Sequence, residues 1–103
     1  MLEEKRVALR SSSGKTLIVY ARITGNVLED VVFSGDFFAY PEDSIMVLEE
    51  KLRGLSLGEA LKTIDEVLRD TVLLGVSIDD LKEGVKKIFE QAQNTLEDKD
   101  TRR

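Results

Sequence analysis

The segment Ser34–Gly35–Asp36–Phe37–Phe38–Ala39–Tyr40–Pro41 marks the point where the chain changes from a strand pattern to a helix pattern. Before it, apolar residues recur at every second position, and after it they recur at every third or fourth position. Gly35 favours a chain reversal because glycine adopts backbone angles that are costly for other residues, and Asp36 can bond to nearby backbone. Strands followed by helices are the order expected of an α+β fold.

Three segments before this point alternate in polarity and are predicted as strands, over residues 5–10, 16–23 and 27–33. A serine-rich loop at residues 11–14 joins the first two strands, and the pair Gly25–Asn26 is a two-residue hairpin signal between the second and third. Consecutive strands with short connections pair with their neighbours. We therefore expect a small antiparallel sheet of three strands, with about three helices packed on one face.

The alternation also predicts which face of the sheet each side chain occupies. The second strand carries apolar residues on both faces, which predicts a central strand covered on both sides. In the third strand, strict alternation places Val27 and Val31 on one face and Leu28 and Val32 on the other.

The first helix is predicted to begin at Pro41. Proline is tolerated at the first helical position, where its missing N–H would lack a partner in any case. Glu42 and Asp43 would then lie at the positive end of the helix dipole, and Gly54 would end the helix.

Two further helices are predicted from their start signals. Ser56 and Glu59 have the spacing of a capping box, and the apolar positions that follow predict a helix that ends at Gly75. Ser77 and Asp80 form a weaker start of the same kind. One domain is expected over residues 1–94, followed by a charged tail at residues 95–103 that is expected to fray.

Composition excludes several classes of function. The chain of 103 residues has no cysteine and no histidine, which removes thiol nucleophiles, thiolate or imidazole metal sites and the usual general base near neutral pH. Its net charge of −5 argues against a nucleic-acid partner. The absence of a long apolar run or a signal-peptide pattern predicts a cytoplasmic protein with no membrane partner.

Pairs of carboxylates are the remaining candidates for acid–base chemistry. The pairs Glu42–Asp43, Glu49–Glu50 and Asp79–Asp80 fall at predicted helix starts or on predicted exposed faces. Solvation would keep both members of each pair ionised and equivalent, whereas acid–base catalysis needs two different environments. An enzyme that uses carboxylates alone is therefore disfavoured, although a carboxylate site for Mg²⁺ stays possible because this cation accepts oxygen ligands.

The run Ser13–Gly14–Lys15–Thr16 is superficially similar to the end of a nucleotide-binding P-loop. The upstream glycine of that motif is missing, and a strand rather than a helix follows. Lys15 could still contact an anion held by a neighbouring chain. The alternative is that it is an ordinary surface lysine.

The segment from residue 34 to residue 41 also concentrates aromatic side chains. Phe37, Phe38 and Tyr40 are three of the six aromatic residues of the chain, and Pro41 follows them. One corner of a small domain is not expected to bury all of them, and aromatic residues are enriched at the centres of interfaces. The pattern allows either a buried corner or a protein interface.

Taken together, Gly14–Lys15–Thr16–Leu17, the Gly-Asn hairpin and Phe33–Ser34–Gly35–Asp36–Phe37–Phe38 with Pro41–Glu42 resemble the C-terminal domain of lipoate–protein ligases. The resemblance is best over residues 5–54. Thr16 between Lys15 and Leu17 departs slightly from the commonest form of the pattern. The family fold is also similar to that of iron–sulfur scaffold proteins, whose function the lack of cysteine excludes.

The resemblance implies an accessory subunit of a split ligase, which is not catalytic alone. It would work with a separate catalytic large subunit to form lipoyl-adenylate from ATP and to transfer the lipoyl group to a lysine of lipoyl-domain proteins. ATP, Mg²⁺ and lipoate would belong to the complex, with none bound by this chain alone. Residues expected at the partner interface or near the active site are Gly14, Lys15, Gly35, Asp36, Phe37, Phe38, Tyr40 and Pro41.

A stand-alone module remains the competing interpretation. Such a protein would be a ligand sensor or a homodimeric scaffold unrelated to lipoylation. It would self-associate or bind a ligand without a catalytic partner.

Overall fold

A computed structural model of the chain describes the backbone of residues 2–101 and the side chains of residues 2–92. The elements follow the predicted order of strands before helices, with two short strands added. They are β1 Leu2–Arg10, β2 Thr16–Thr24, β3 Val27–Gly35, β4 Phe38–Tyr40, α1 Ser44–Leu52, α2 Leu57–Val67, β5 Val72–Leu74 and α3 Ile78–Thr101. The predicted division into a domain and a charged tail stays a prediction, and the end of that tail, residues 102–103, lies outside the described residues.

The main sheet has the strand order β1-β2-β3, with both pairs antiparallel. Val19 of β2 lies opposite Val7 of β1 and opposite Phe33 of β3, and all three side chains are buried on the same face. The predicted antiparallel sheet with β2 at its centre is therefore confirmed. So is the α+β class, since the helices cover only one face of this sheet.

The predicted distribution of side chains on β3 is wrong at two positions, Val27 and Leu28. Arg22 pairs with Asp30, but the next residue, Ile23, pairs with Leu28, so Glu29 is an extra residue that forms a β-bulge. The bulge returns Leu28 to the buried face that also carries Val31. Strict alternation could not predict this, because an extra residue reverses the face of everything beyond it.

The prediction that β2 is covered on both sides is also wrong. On the face that no helix covers, Ile18 is half-buried and Tyr20 is 44% exposed. The guanidinium of Arg6 lies over the Tyr20 ring, 5.8 Å from its centroid. Tyr20 is thus partly shielded by a neighbouring strand and not by a second layer of the fold.

The core lies between the sheet and two of the helices. Helix α3 packs on β1 and β2, α1 packs on β3, and α2 packs on the other two helices. The largest side chains that are fully buried in this layer are Leu17, Ile23, Leu28, Leu48, Leu52, Ile64, Leu68, Leu81 and Ile88. No helix among the described residues is long and apolar enough to cross a membrane.

Helix α1 begins three residues later than predicted. Its first residue is Ser44 and its N-cap is Asp43, so Pro41 is not at the first helical position and Glu42 is not in the first turn. Pro41 instead follows a cis peptide bond after Tyr40. The physical reason is that residues 38–40 pair as strand β4, so the chain remains extended up to Tyr40 and must turn before a helix can start.

Helix α2 ends earlier than predicted. Its last residue is Val67, and the segment from Val72 to Leu74 forms strand β5 instead of a last helical turn before Gly75. The partner of β5 is β4. Each short strand was hidden in the sequence because its partner lies more than 30 residues away.

The predicted start signals of the last two helices are confirmed. The carboxylate of Glu59 accepts the backbone N–H of Ser56 at 3.1 Å. The carboxylate of Asp80 accepts the N–H of Ser77 at 2.8 Å, and the hydroxyl of Ser77 accepts the N–H of Asp80 at 3.1 Å. Aspartate thus serves in a capping box where glutamate or glutamine is more usual.

Along the outer edge of β3, backbone groups of the strand form hydrogen bonds with groups from the helical layer. Leu28 exchanges two backbone hydrogen bonds with the turn after α1, with the carbonyl of Leu55 at 2.9 Å and the N–H of Gly54 at 2.7 Å. The N–H of Phe33 donates to Oε2 of Glu49 at 2.8 Å. Burial raises the pKa of Glu49, while the hydrogen bond from Phe33 acts in the opposite direction.

Removing the Glu49 carboxylate tests this edge contact. Glu49→Ala should lower the free energy of unfolding by about 1–2 kcal/mol, because the Phe33 N–H then loses its acceptor in a mostly buried position. The matched variant Glu50→Ala, at the exposed neighbouring position, should change it by less than about 0.5 kcal/mol. Urea unfolding of both variants measures the difference, and equal losses would contradict a specific role for Glu49.

Candidate functional site

Strands β4 and β5 form a two-stranded ribbon beside the main sheet, and one face of this ribbon is an exposed apolar patch. Phe38 lies opposite Leu74, and Tyr40 lies opposite Val72. Since residues two apart on a strand share a face, all four side chains point the same way. Their exposed fractions are 75% for Phe38, 70% for Tyr40, 56% for Val72 and 62% for Leu74. We call these four residues the apolar ribbon.

The other face of the same two strands is turned toward the body of the protein. Ala39 and Leu73, the central pair of the ribbon, are half-buried. Phe37 is also half-buried and packs against the main core. The aromatic cluster is therefore divided: Phe37 anchors the segment, and Phe38 and Tyr40 remain at the surface with Pro41.

Two grooves flank Phe38. One, of about 280 Å³, runs over the apolar ribbon and is bounded by Glu42. The other, of about 460 Å³, lies between Phe38 and Phe37 and reaches Ile45 at the start of α1. Phe38 therefore stands as a ridge between two concave surfaces, a shape suited to insertion between side chains of another molecule.

Gly35 and Asp36 attach the start of this segment to β2. Gly35 has φ +141°, and a Cβ at this position would collide with the backbone oxygen of Thr16. The N–H of Asp36 donates to that same oxygen at 3.1 Å. Close approach to Thr16 thus requires glycine, and it brings Asp36 next to the loop that carries Lys15. The Asp36 carboxylate is exposed and makes no hydrogen bond or ion pair within the described residues.

Gly14 and Lys15 end the loop between β1 and β2, at the same end of the sheet as Asp36. Both residues are exposed. The backbone of Lys15 is fixed, because its carbonyl accepts the N–H of Ser11 at 2.7 Å and its N–H donates to Oγ of Ser11 at 3.1 Å. Among residues 2–92, its ammonium group has no ion-pair or hydrogen-bond partner. The loop therefore presents one solvent-facing cation on a fixed backbone.

Gly75 is the point at which these separate segments meet. Its carbonyl accepts the hydroxyls of Ser11 and Ser13, each at 2.7 Å. On its other side, a Cβ would lie 2.6 Å from the Asp36 oxygen and 3.1 Å from the Phe37 Cα. Only a residue without a side chain fits here. The structure thus brings the Lys15 loop, the Asp36–Phe37 corner and β5 together around one glycine.

Two acidic residues differ from the predicted uniform exposure of the carboxylate pairs. Glu49 and Asp80 are half-buried and hydrogen-bonded, while their neighbours Glu50 and Asp79 are exposed. Partial burial acts to raise the pKa of Asp80, but hydrogen bonds from Ser77 and Ser12 outweigh it and hold the pKa below its usual value. Both carboxylates accept hydrogen bonds from backbone N–H groups, so their role is to stabilise the fold. In the part of the chain with described side chains, no group of three or more acidic residues could hold a metal ion.

The uncovered face of the main sheet is a second exposed apolar surface. It carries Tyr20 and Val32, which pair across β2 and β3. Charged groups surround them, with Arg6 over the Tyr20 ring and an ion pair of 3.4 Å between Arg22 and Asp30. The groove over the apolar ribbon is lined by four apolar side chains and bordered by one charged residue, Glu42, so its burial by a partner would require less desolvation of charge.

The sequence identified only half of the apolar ribbon. Phe38 and Tyr40 were found through their aromatic clustering. Val72 and Leu74 were missed because they were assigned to the end of a helix. A signal was present: three consecutive β-branched or aliphatic residues immediately before Gly75 are also consistent with a short strand that stops at a glycine.

Comparisons with known proteins agree with the resemblance found in the sequence. The chain is 44% identical over 54 residues to lipoate-protein ligase A subunit 2 of Thermoplasma acidophilum. The aligned segment covers 52% of this chain and 53% of that protein. The chain thus aligns over about half the length of this curated relative. No protein-family model matches the present chain.

The fold is similar to a chain in the solved structure of an archaeal lipoylation system, a bi-partite lipoate protein ligase and its E2 lipoyl domain from Thermoplasma acidophilum. The TM-score is 0.75 at 29% identity, and the match covers 82% of this chain and 97% of that chain. The resemblance to the small subunit of a split lipoate–protein ligase is therefore confirmed, and so is the predicted architecture.

Two glycine substitutions test the junction at Gly75. Gly75→Ala and Gly14→Ala both place alanine at a positive φ, of +95° and +87°, which costs about 1–2 kcal/mol in either case. Only at position 75 does the new Cβ also meet backbone atoms, so we expect Gly75→Ala to destabilise the fold by roughly 2 kcal/mol more. Thermal unfolding compares the two, and equal shifts in Tm would contradict the close packing around Gly75.

Proposed function

We propose that this chain is the accessory subunit of a two-component lipoate–protein ligase. It acts with a separate catalytic subunit in forming lipoyl-adenylate from ATP and lipoate and in transferring the lipoyl group to a lysine of lipoyl-domain proteins. The observation that carries the proposal is the fold match over 97% of the length of a chain in a bi-partite ligase, together with sequence identity to a protein named as subunit 2 of such a ligase. A cytoplasmic location goes with this role.

The surface that docks on the catalytic subunit would consist of the apolar ribbon and Pro41. Its two aromatic side chains, Phe38 and Tyr40, are mostly exposed, and aromatic residues are enriched at the centres of interfaces. Phe37 packs against the core and holds this segment in place. A homodimer could use the same surface, so the stand-alone scaffold remains the second candidate.

The proposal assigns Lys15 to the cleft shared with the catalytic subunit. A fixed backbone and an ammonium group without a partner are suited to an anion presented by another chain. Gly14 and Asp36 flank it on the same end of the sheet. In this proposal ATP, Mg²⁺ and lipoate are bound by the catalytic subunit, and this chain binds none of them by itself.

Docking would act by ordering the adenylate-forming region of the catalytic subunit. An order–disorder change of this kind lowers the barrier by positioning groups, with no new covalent chemistry from the accessory chain. The absence of cysteine and histidine is consistent with such a role.

Reconstitution tests the function. The purified chain is mixed with a lipoate–protein ligase catalytic subunit from the same organism, ATP, Mg²⁺, lipoate and a lipoyl domain. Adenylate formation and lipoyl transfer should depend on this chain. A catalytic subunit that forms adenylate equally well alone would overturn the accessory role, and stable self-association of the chain without binding to that subunit would favour the scaffold.

The two tyrosines of the chain offer a matched test of the docking surface. Tyr40→Ala should weaken binding to the catalytic subunit by roughly 2–4 kcal/mol, as expected of a hot-spot residue, and leave the fold intact because the side chain is mostly exposed. Tyr20→Ala, on the uncovered sheet face, should change binding by less than about 0.5 kcal/mol. Titration calorimetry with circular dichroism measures both, and the reverse order of effects would place the interface on the sheet face.

Lys15→Ala should slow adenylate formation by at least about tenfold at saturating accessory subunit, because a charge-assisted contact to an anion is lost. Folding and docking should be unchanged, since the ammonium group is exposed. Lys62→Ala, which removes an exposed cation from α2, is the control for net charge and should keep the full rate. An equal rate for both variants would show that Lys15 is an ordinary surface lysine.

A further inference from the structure

Three consecutive serines tie the Lys15 loop to the segment that leads from β5 into α3. The hydroxyls of Ser11 and Ser13 donate to the carbonyl of Gly75, both at 2.7 Å. The backbone N–H of Ser12 donates to both carboxylate oxygens of Asp80 at 3.2 Å, and its hydroxyl donates to Oδ2 at 3.1 Å. All of these bonds join residues more than 60 positions apart in the sequence, so they fix the loop relative to a distant part of the chain.

The loop is also closed on itself. The N–H of Gly14 donates to the carbonyl of Ser11 at 2.9 Å, and the guanidinium of Arg10 donates to the carbonyl of Gly14 at 2.8 Å. A short exposed loop that contains a glycine would otherwise have high conformational freedom, because glycine restricts the backbone little. Its internal bonds set its shape, and its bonds to Gly75 and Asp80 set its position.

The anchoring segment is continuous with the proposed docking surface. Gly75 directly follows Leu74 of the apolar ribbon and contacts the corner before Phe38. Asp80 lies in the first turn of α3, which is packed on the main sheet. Hydrogen bonds and backbone contacts therefore connect the apolar ribbon to the Lys15 backbone, with no flexible segment between the two.

We propose that Ser12, Ser13 and Asp80 are positioning residues, which hold the Lys15 loop in a fixed relation to the apolar ribbon so that docking places Lys15 at an anion of the phosphate class in the catalytic subunit. This inference rests on the proposed function and extends it. It assigns to three residues a role that requires no contact of their own with the anion. Their effect on the reaction is exerted through Lys15, by removing the need to order the loop when the complex forms.

The test uses a variant that loosens the loop by removing two of its anchoring hydrogen bonds, without altering Lys15. Ser12→Ala combined with Ser13→Ala removes two hydroxyl donors at exposed positions and leaves the backbone bonds in place, so the fold should be kept. At saturating accessory subunit, the rate of adenylate formation should fall about fivefold to tenfold. The accessory-subunit concentration that gives half of the maximal rate should be unchanged, because the ribbon is intact.

A matched pair separates positioning from helix stability. Asp80→Ala and Ser77→Ala each break the capping box of α3, but only Asp80→Ala also releases Ser12. Both variants should lower Tm. Only Asp80→Ala should reduce the rate, measured well below either Tm, and an equal reduction by Ser77→Ala would show that helix stability alone is responsible and overturn the proposal.

A double-mutant cycle with Lys15→Ala decides whether the serines act through Lys15. If they do, the serine substitutions should have no further effect on the rate once Lys15 is removed. A serine effect of the same size in the Lys15→Ala background would overturn the positioning role. So would a full rate in the serine variant with Lys15 present.

Amide hydrogen exchange on the free chain keeps this inference separate from the proposed function. In the serine variant, exchange at residues 11–15 should accelerate at least about tenfold, with β5 unchanged. Unchanged exchange in the loop would overturn the claim that the serines hold it. Failure of the wild-type chain to stimulate any catalytic subunit would instead overturn the proposed function, whatever the exchange shows.

Discussion

The contact around Gly75 is the constraint on which the arrangement of this surface depends. The carbonyl of Gly75 accepts two serine hydroxyls from the β1–β2 loop, while its missing side chain leaves room for the backbone of Asp36 and Phe37. A carbonyl oxygen has two lone pairs, and both are used here. Any side chain at this position would separate β5 from the corner that leads into β4. The short ribbon that carries Phe38 and Tyr40 could then not remain paired in its present register, and the loop that carries Lys15 would lose its anchor.

That constraint also determines which aromatic residues are buried and which are exposed. Phe37 packs against the core and holds the corner, and the alternation of β4 then requires Phe38 and Tyr40 to project on the opposite side from Ala39. Pairing with β5 adds Val72 and Leu74 to the same face. The result is an apolar surface on a two-stranded ribbon that is supported by the body of the protein but not covered by it. Exposed apolar clusters of this kind mark sites of interaction with another molecule.

The sequence predicted the general architecture because its signals are local. The alternating strands, the Gly25–Asn26 hairpin and the capping boxes at Ser56 and Ser77 each depend on residues within a few positions of one another. The errors arise where distant segments meet. Pro41 was placed in a helix because the pairing of β4 with β5 is invisible locally, and Leu28 was placed on the wrong face because a bulge depends on the partner strand. The eight predicted site residues lie at one end of the sheet, on the adjoining ribbon or, for Pro41, directly after it. Val72, Leu74, Gly75 and Asp80 were missed, since their importance comes from contacts far along the chain.

We propose above that this chain docks its apolar ribbon on a catalytic subunit. Hydrogen–deuterium exchange of the wild-type chain, measured with and without a lipoate–protein ligase catalytic subunit of the same organism, tests it most directly. We expect slower exchange at residues 38–40 and 72–74 in the complex, extending to the loop at residues 11–15, and no change on the uncovered sheet face at residues 18–22 and 30–32. Protection confined to that sheet face, or no protection at all, would contradict it.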